Sequence, residues 1–143
     1  MEELLRMEHI SKKFGQFYAN KDIFFDVKPG EVHTLFGENG AGKSTLMNIL
    51  FGLYQPTSGE IYLNGKRVNI DSAATAVHLG IGMVHQHFML VDAMTVLENI
   101  VLGDNQIPGL LLKRERAAKQ IAELAAKYRL DVELDKRLSL IHI

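Results

Sequence analysis

The spacing of hydrophobic and polar positions changes period several times along the chain, and each change marks an element. Residues 4–10 alternate, with Leu5, Met7 and His9 sharing one face, which predicts a first strand. Ser11-Lys12-Lys13-Phe14-Gly15-Gln16 then reads as a loop. In residues 17–27, Ile23, Phe25 and Val27 alternate against Phe24 and Asp26, a second extended segment. After the turn Pro29-Gly30, Glu31-Val32-His33-Thr34-Leu35-Phe36 predicts a buried strand, with His33 as a hydrogen-bonded core residue. Leu46-Met47-Asn48-Ile49-Leu50-Phe51 predicts a helix ending near Gly52.

Gln55-Pro56-Thr57-Ser58-Gly59 is a loop, and residues 60–63 and 66–70 flank Asn64-Gly65, a pair that favours a tight primed turn and so a hairpin. Asp71 or Ser72 can cap a short helix to Leu79, with Gly80 ending it. Ile81-Gly82-Met83-Val84 reads as a short core strand leading to His85-Gln86-His87. Residues 95–102 predict a helix stopped by Gly103, and residues 104–109 a loop. Residues 112–129 predict a long amphipathic helix. Its stripe of Ala117, Ile121, Leu124, Ala125 and Tyr128 is read as ordinary packing. A coarse boundary near Asp92-Ala93 separates a mixed strand–helix region, 1–93, from a helical one, 94–143.

Composition narrows the classes. With 143 residues, 47% of them hydrophobic, there is room for one domain or a core with a small attached subdomain. A net charge of −1 gives no bulk attraction to nucleic acid or anionic lipid. Without cysteine there is neither a disulfide framework nor a thiolate metal site, which suits a reducing compartment. No apolar run approaches the roughly 20 residues of a bilayer span. The acidic start Met1-Glu2-Glu3-Leu4-Leu5-Arg6 lacks a signal-peptide core. The expectation is a cytoplasmic protein that does not insert into a membrane and is held there, if it works there, by other subunits.

The candidate chemistry lies in Gly37-Glu38-Asn39-Gly40-Ala41-Gly42-Lys43-Ser44-Thr45, which fits G-x-x-x-x-G-K-[ST]. Glycines let such a loop turn tightly, so that backbone N–H groups converge on phosphate oxygens. Lys43 brings a mobile positive charge to the β- and γ-phosphates, and the Ser44 hydroxyl is a candidate Mg²⁺ ligand. The following helix sets its partially positive N-terminus behind them. His78, His85 and His87, on irregular spacing and with no Cys, make a poor zinc set.

With this loop, Lys12-Lys13-Phe14-Gly15 and Val84-His85-Gln86 in the expected order, the chain resembles the first part of an ABC transporter ATP-binding subunit, over residues 4–138. The stretch Gly82-Met83-Val84-His85-Gln86-His87-Phe88-Met89-Leu90, with Thr95-Val96-Leu97-Glu98-Asn99-Ile100, is most similar to the simple-sugar and nucleoside importer branch. The resemblance implies an α/β fold: a P-loop NTPase core with an N-terminal antiparallel β-subdomain and the start of a helical subdomain, truncated. It implies ATP and Mg²⁺ as ligands, with adenine stacked on Phe14 and Phe17 and Tyr18 as nearby competitors for that role. Gln86 matches the glutamine that opens the family's Q-loop, a second Mg²⁺ or water contact. Residues 87–97, with Phe88, Met89 and Leu90, would lie where the family receives a coupling helix from its transmembrane permease. A second ATP-binding subunit or domain completes the implied assembly, on the cytoplasmic face of the membrane.

The match breaks off inside a motif. Leu138-Ser139 resembles the start of the family's signature loop, but Leu140-Ile141-His142-Ile143 replaces its glycine-rich continuation. The second carboxylate strand, the catalytic glutamate and the switch histidine are not found, so a truncation or frame shift is expected. Hydrolysis needs a positioned water. Glu38 lies in the loop itself and Glu98 follows the Q-loop region, so the chain is expected to bind nucleotide weakly at best and barely turn it over. The alternatives are a P-loop kinase or GTPase, disfavoured because no N-K-x-D motif is present, and a nonenzymatic nucleotide-binding fragment. The transported solute is not readable from these residues.

Overall fold

Residues 3–85, 90–102 and 114–138 are described by the computed structural model. They form two compact units, Met1–Val84 and His85–Ile143.

In the first unit, alternation makes a long hairpin. Strand β1 (Leu5–Phe14) pairs antiparallel with β2 (Phe17–Val27), from Leu5 opposite Val27 to Phe14 opposite Phe17. β1 thus runs through residues 11–14, expected as a loop. Lys12 and Lys13 find ladder partners in Asn20 and Tyr18, and the Lys13 amide donates to Thr57 Oγ1 at 3.0 Å. The other edge of β1 pairs with β3 (Ser58–Leu63), which turns through Asn64-Gly65 into β4 (Lys66–Val68), giving the sheet order β2-β1-β3-β4. Asn64 and Gly65 both have positive φ, 50° and 72°, as the primed turn requires.

The register slips between Met7 and Ile10. Here His9 takes φ 52° and Asp22 opposite takes 54°, and His9 Nδ1 lies 2.7 Å from Asp22 Oδ1. This bulge turns His9 outward, away from the face it was expected to share with Leu5 and Met7, and puts Ile10 there instead.

Helix α1 (Lys43–Leu50) supplies Leu46 and Ile49 to the core, where they meet Leu5, Met7, Ile10, Ile61, Ile70 and Ala76. Met7, Ile10 and Ile49 are completely buried, each contributing about 1.5–3 kcal/mol. Helix α2 (Ala73–His78) starts at Ser72, whose hydroxyl accepts the Thr75 N–H at 3.2 Å.

Two expected core strands are not formed. Residues 31–36 and 81–84 run as irregular chain, with Val32 95%, Phe36 98% and Val84 87% exposed. A buried parallel strand needs neighbours on both edges, and among the described residues no strand pairs with either segment. His33 is accordingly not a core residue: it lies at the surface, 3.6 Å from Glu31 and edge-on to Phe25.

In the second unit, α3 (Val96–Val101) begins with a complete capping box. Thr95 Oγ1 accepts the Glu98 N–H at 3.2 Å, and Glu98 Oε2 accepts the Thr95 N–H at 2.8 Å. Those bonds hold the Glu98 carboxyl below its usual range, assisted by Arg114. Thr95 also bridges to Arg137. Helix α4 (Arg114–Tyr128) buries Ala117, but Leu124 and Tyr128 of the predicted stripe are 55% and 61% exposed. The expected positions 103–113, including Gly103 and the first residues of that helix, lie outside the described residues, as do 139–143. Among the described residues no helix is long and apolar enough to cross a membrane.

Candidate functional site

The nine residues from Gly37 to Thr45 connect the irregular segment to α1. The loop folds on itself through the Ala41 N–H, which donates to the Glu38 carbonyl at 3.2 Å. Gly40 and Gly42 sit at φ 86° and 83°. Gly42 is the N-cap of α1, and its carbonyl accepts the first helical hydrogen bond, from Leu46 N–H at 2.9 Å. Its place is dictated twice over. The left-handed backbone disfavours a side chain, and a Cβ there would stand 2.3 Å from the Ala19 carbonyl oxygen and 2.6 Å from Asn20 Nδ2.

The electrostatics suit an anion. Gly42 offers no side-chain cap and the first turn of α1 carries no acid, so the positive end of the helix is not neutralised by its own residues. The Lys43 ammonium folds back over the loop, donating to the Gly37 carbonyl at 2.6 Å and the Glu38 carbonyl at 2.8 Å. Those neutral acceptors hold the cation beside the loop, where phosphate oxygens would compete for it. Ser44 follows in the first turn and is exposed. A hydroxyl beside uncapped amides and an ammonium is the donor set that a Mg²⁺–polyphosphate needs, so the residues fit that ligand. At the loop's entry the Lys28 N–H donates to Glu31 Oε2 at 2.8 Å and holds that carboxyl below its usual range.

Phe14 stands at the end of β1, 45% exposed, as a base platform requires. Its ring meets Tyr54 edge-on at 5.4 Å, and Lys12 Nζ lies 5.1 Å from its centroid. Lys12 is itself fixed by donating to the Gln55 carbonyl at 2.7 Å. Phe17 and Tyr18 are also exposed, with Lys13 and Lys21 over the Tyr18 ring. Gln86, His87, Phe88 and Met89 lie outside the described residues; Leu90, next in line, is 47% exposed. No group of three His, Cys, Asp or Glu side chains comes together among the described residues.

Two neighbours of the site were not foreseen. Tyr54 braces Phe14 from across the fold, and Asn20 of β2 donates its side-chain N–H to the Gly42 carbonyl at 3.2 Å. Lys12 and Phe14 were visible as a motif, but nothing in the sequence pairs Asn20 with a glycine 22 positions later.

Comparison with known proteins bears on the family and the fold. Residues 20–140 match the family model described as ABC transporter. The chain is 54% identical over 134 residues to the nucleoside import ATP-binding protein NupA of Lactococcus lactis, covering 94% of this chain and 26% of that protein. It is 48% identical over 143 residues to the guanosine import ATP-binding protein NupO of Bacillus subtilis, covering 100% of this chain and 28% of that one. The fold superposes on a crystal structure of a nucleotide-free ATP-binding cassette from an ABC transporter with a TM-score of 0.75 at 30% identity, covering 95% of this chain and 58% of the other. The chain thus spans about a quarter of the length of these curated relatives.

Proposed function

The chain belongs to the ABC transporter family, and from that premise we propose that it is the nucleotide-binding part of an importer ATPase for nucleosides or related sugars. Its α/β fold is that of the family's ATP-binding cassettes, with the antiparallel β-subdomain at its N-terminal end. The observation that carries the proposal is the uncapped start of α1 with Lys43 drawn over the loop.

ATP enters with its phosphates along Gly37, Glu38, Asn39, Gly40, Ala41, Gly42, Lys43, Ser44 and Thr45. The backbone amides of the loop and the first turn of α1 bind the oxygens. Lys43 exchanges the Gly37 and Glu38 carbonyls for the β- and γ-phosphates. Ser44, and on the family resemblance Gln86, would hold a Mg²⁺ ion, which would supply neutralising charge to the phosphoryl group. Phe14 carries the adenine, its ring kept in place by Tyr54. In the longer protein, hydrolysis between two such subunits or domains drives a transmembrane permease at the cytoplasmic face. Residues 87–97, including exposed Leu90, are the contact we assign to that permease.

For the 143-residue chain by itself, nucleotide binding without appreciable turnover is the reading that Val32, Phe36 and Val84 favour. These apolar side chains stand open where the site's own supporting strands should be packed. A steady-state ATPase assay tests this: the isolated chain should be near background, and extending it to the length of its relatives should restore turnover. A rate typical of an intact transporter subunit from the short chain would refute it.

A further inference from the structure

Asn20 is the buried polar residue of the described core, 6% exposed. A polar side chain in such a place costs free energy unless its hydrogen bonds are made. Asn20 makes one: Nδ2 donates to the Gly42 carbonyl at 3.2 Å. Its Oδ1 is buried and has no partner. Reversing the amide would face two oxygens against each other at Gly42, so the orientation is fixed by the bond it makes. For folding alone, an apolar side chain of similar volume would serve better at this position of β2.

The bond's destination gives it a purpose. Gly42 links the phosphate loop to α1, and its carbonyl is also the acceptor of the first helical hydrogen bond. The backbone of β2 touches the same residue, as shown by the 2.3 Å a Cβ would leave to the Ala19 oxygen. Asn20 and Ala19 therefore pin Gly42 from below, and the direction of the amides that follow is set by that pin.

We propose that Asn20 is a positioning residue for the phosphate loop, acting through the Gly42 carbonyl to aim the amides of the first turn of α1 at a bound polyphosphate. This rests on the reading of the loop as a polyphosphate site. It assigns to β2 a part in ligand binding, in addition to its part in the sheet. One side-chain hydrogen bond of this kind corresponds to a change of about two- to tenfold in an equilibrium constant.

The test compares the parent chain with Asn20→Leu and Asn20→Ser by calorimetry, using Mg·ATP and inorganic tripolyphosphate, and by thermal unfolding without ligand. Asn20→Leu should unfold at or above the parent's temperature, because an unsatisfied buried carbonyl is removed. It should nonetheless bind both tripolyphosphate and ATP about fivefold more weakly. Asn20→Ser, which keeps a hydroxyl donor but is shorter, should fall between the two in affinity. A purely structural role would lower the unfolding temperature and leave the affinity of the folded fraction unchanged. That result, or a Leu variant binding tripolyphosphate as the parent does, overturns the proposal and leaves the site assignment standing. A parent chain that binds neither ligand removes the site assignment and this proposal with it.

Discussion

Two glycines of the same loop, both with left-handed backbone, should respond very differently to one added methyl group. Gly40 has φ 86° and nothing within 4 Å of the Cβ position, whereas Gly42 has φ 83° and would drive a Cβ to 2.3 Å from the Ala19 oxygen. Gly40→Ala costs only the left-handed strain of an L-residue, about 1–2 kcal/mol. Gly42→Ala carries the same strain plus a collision with β2 backbone, which cannot rotate away as a side-chain end can, adding about 1–3 kcal/mol. Relief requires α1 to shift from the sheet, uncovering Leu46 and Ile49, so the loss should be global. Urea unfolding followed by circular dichroism reads the difference. With a slope of about 1–3 kcal/mol per molar urea, the Gly42→Ala midpoint should lie roughly 1 M below that of Gly40→Ala. The ligand response should run the other way. Gly40→Ala keeps the fold but places a methyl group on the open side of the loop, so tripolyphosphate binding should weaken beyond the loss in stability. Equal midpoints for the two variants would refute the packing of the loop against β2.

Further predictions concern the other parts of the molecule. Phe14→Ala should weaken ATP binding about tenfold or more, the worth of a base–aromatic stack, and leave tripolyphosphate affinity unchanged; equal losses for both ligands would remove Phe14 from the base site. Glu98 is held below its ordinary range by the Thr95 amide, so its capping contribution is present above the usual glutamate pKa of about 4.3 and is lost as pH falls through the lower folded value. Protection of the Thr95 and Glu98 amides from hydrogen exchange should therefore decline below about pH 4, and Glu98→Gln should make it independent of pH across that window. Val32→Lys with Phe36→Lys should reduce self-association in sedimentation while shifting the unfolding midpoint little, since both side chains are nearly fully exposed; a large loss of stability would mean that they are packed in solution.

What the sequence disclosed was whatever is settled locally. Asn64-Gly65 forces its own turn, Ser72, one of two candidates, caps the helix it precedes, and the Gly37 to Thr45 pattern carries its backbone demands within nine residues. The extension of β1 through Lys12 and Lys13 was hidden because it depends on β2 and Thr57 supplying partners. The bulge at His9 was hidden because two residues in different strands twist together. Residues 31–36 have the composition of a buried strand, but composition cannot form a ladder without neighbours, and none pairs with it among the described residues. At the site, Lys43 and Ser44 were legible as chemistry, while Asn20 and Tyr54 reach it only through tertiary contact.

The proposed site is a polyphosphate cradle formed by the amides from Gly40 to Thr45 with the Lys43 ammonium. Titrating ¹⁵N-labelled chain with Mg·ATP and following each backbone amide tests it residue by residue. Saturable shifts should concentrate at Gly40, Ala41, Gly42, Lys43, Ser44 and Thr45, be reproduced by tripolyphosphate and be abolished in Lys43→Ala. Shifts centred on another part of the chain, or a Lys43→Ala variant that titrates as the parent does, would contradict it.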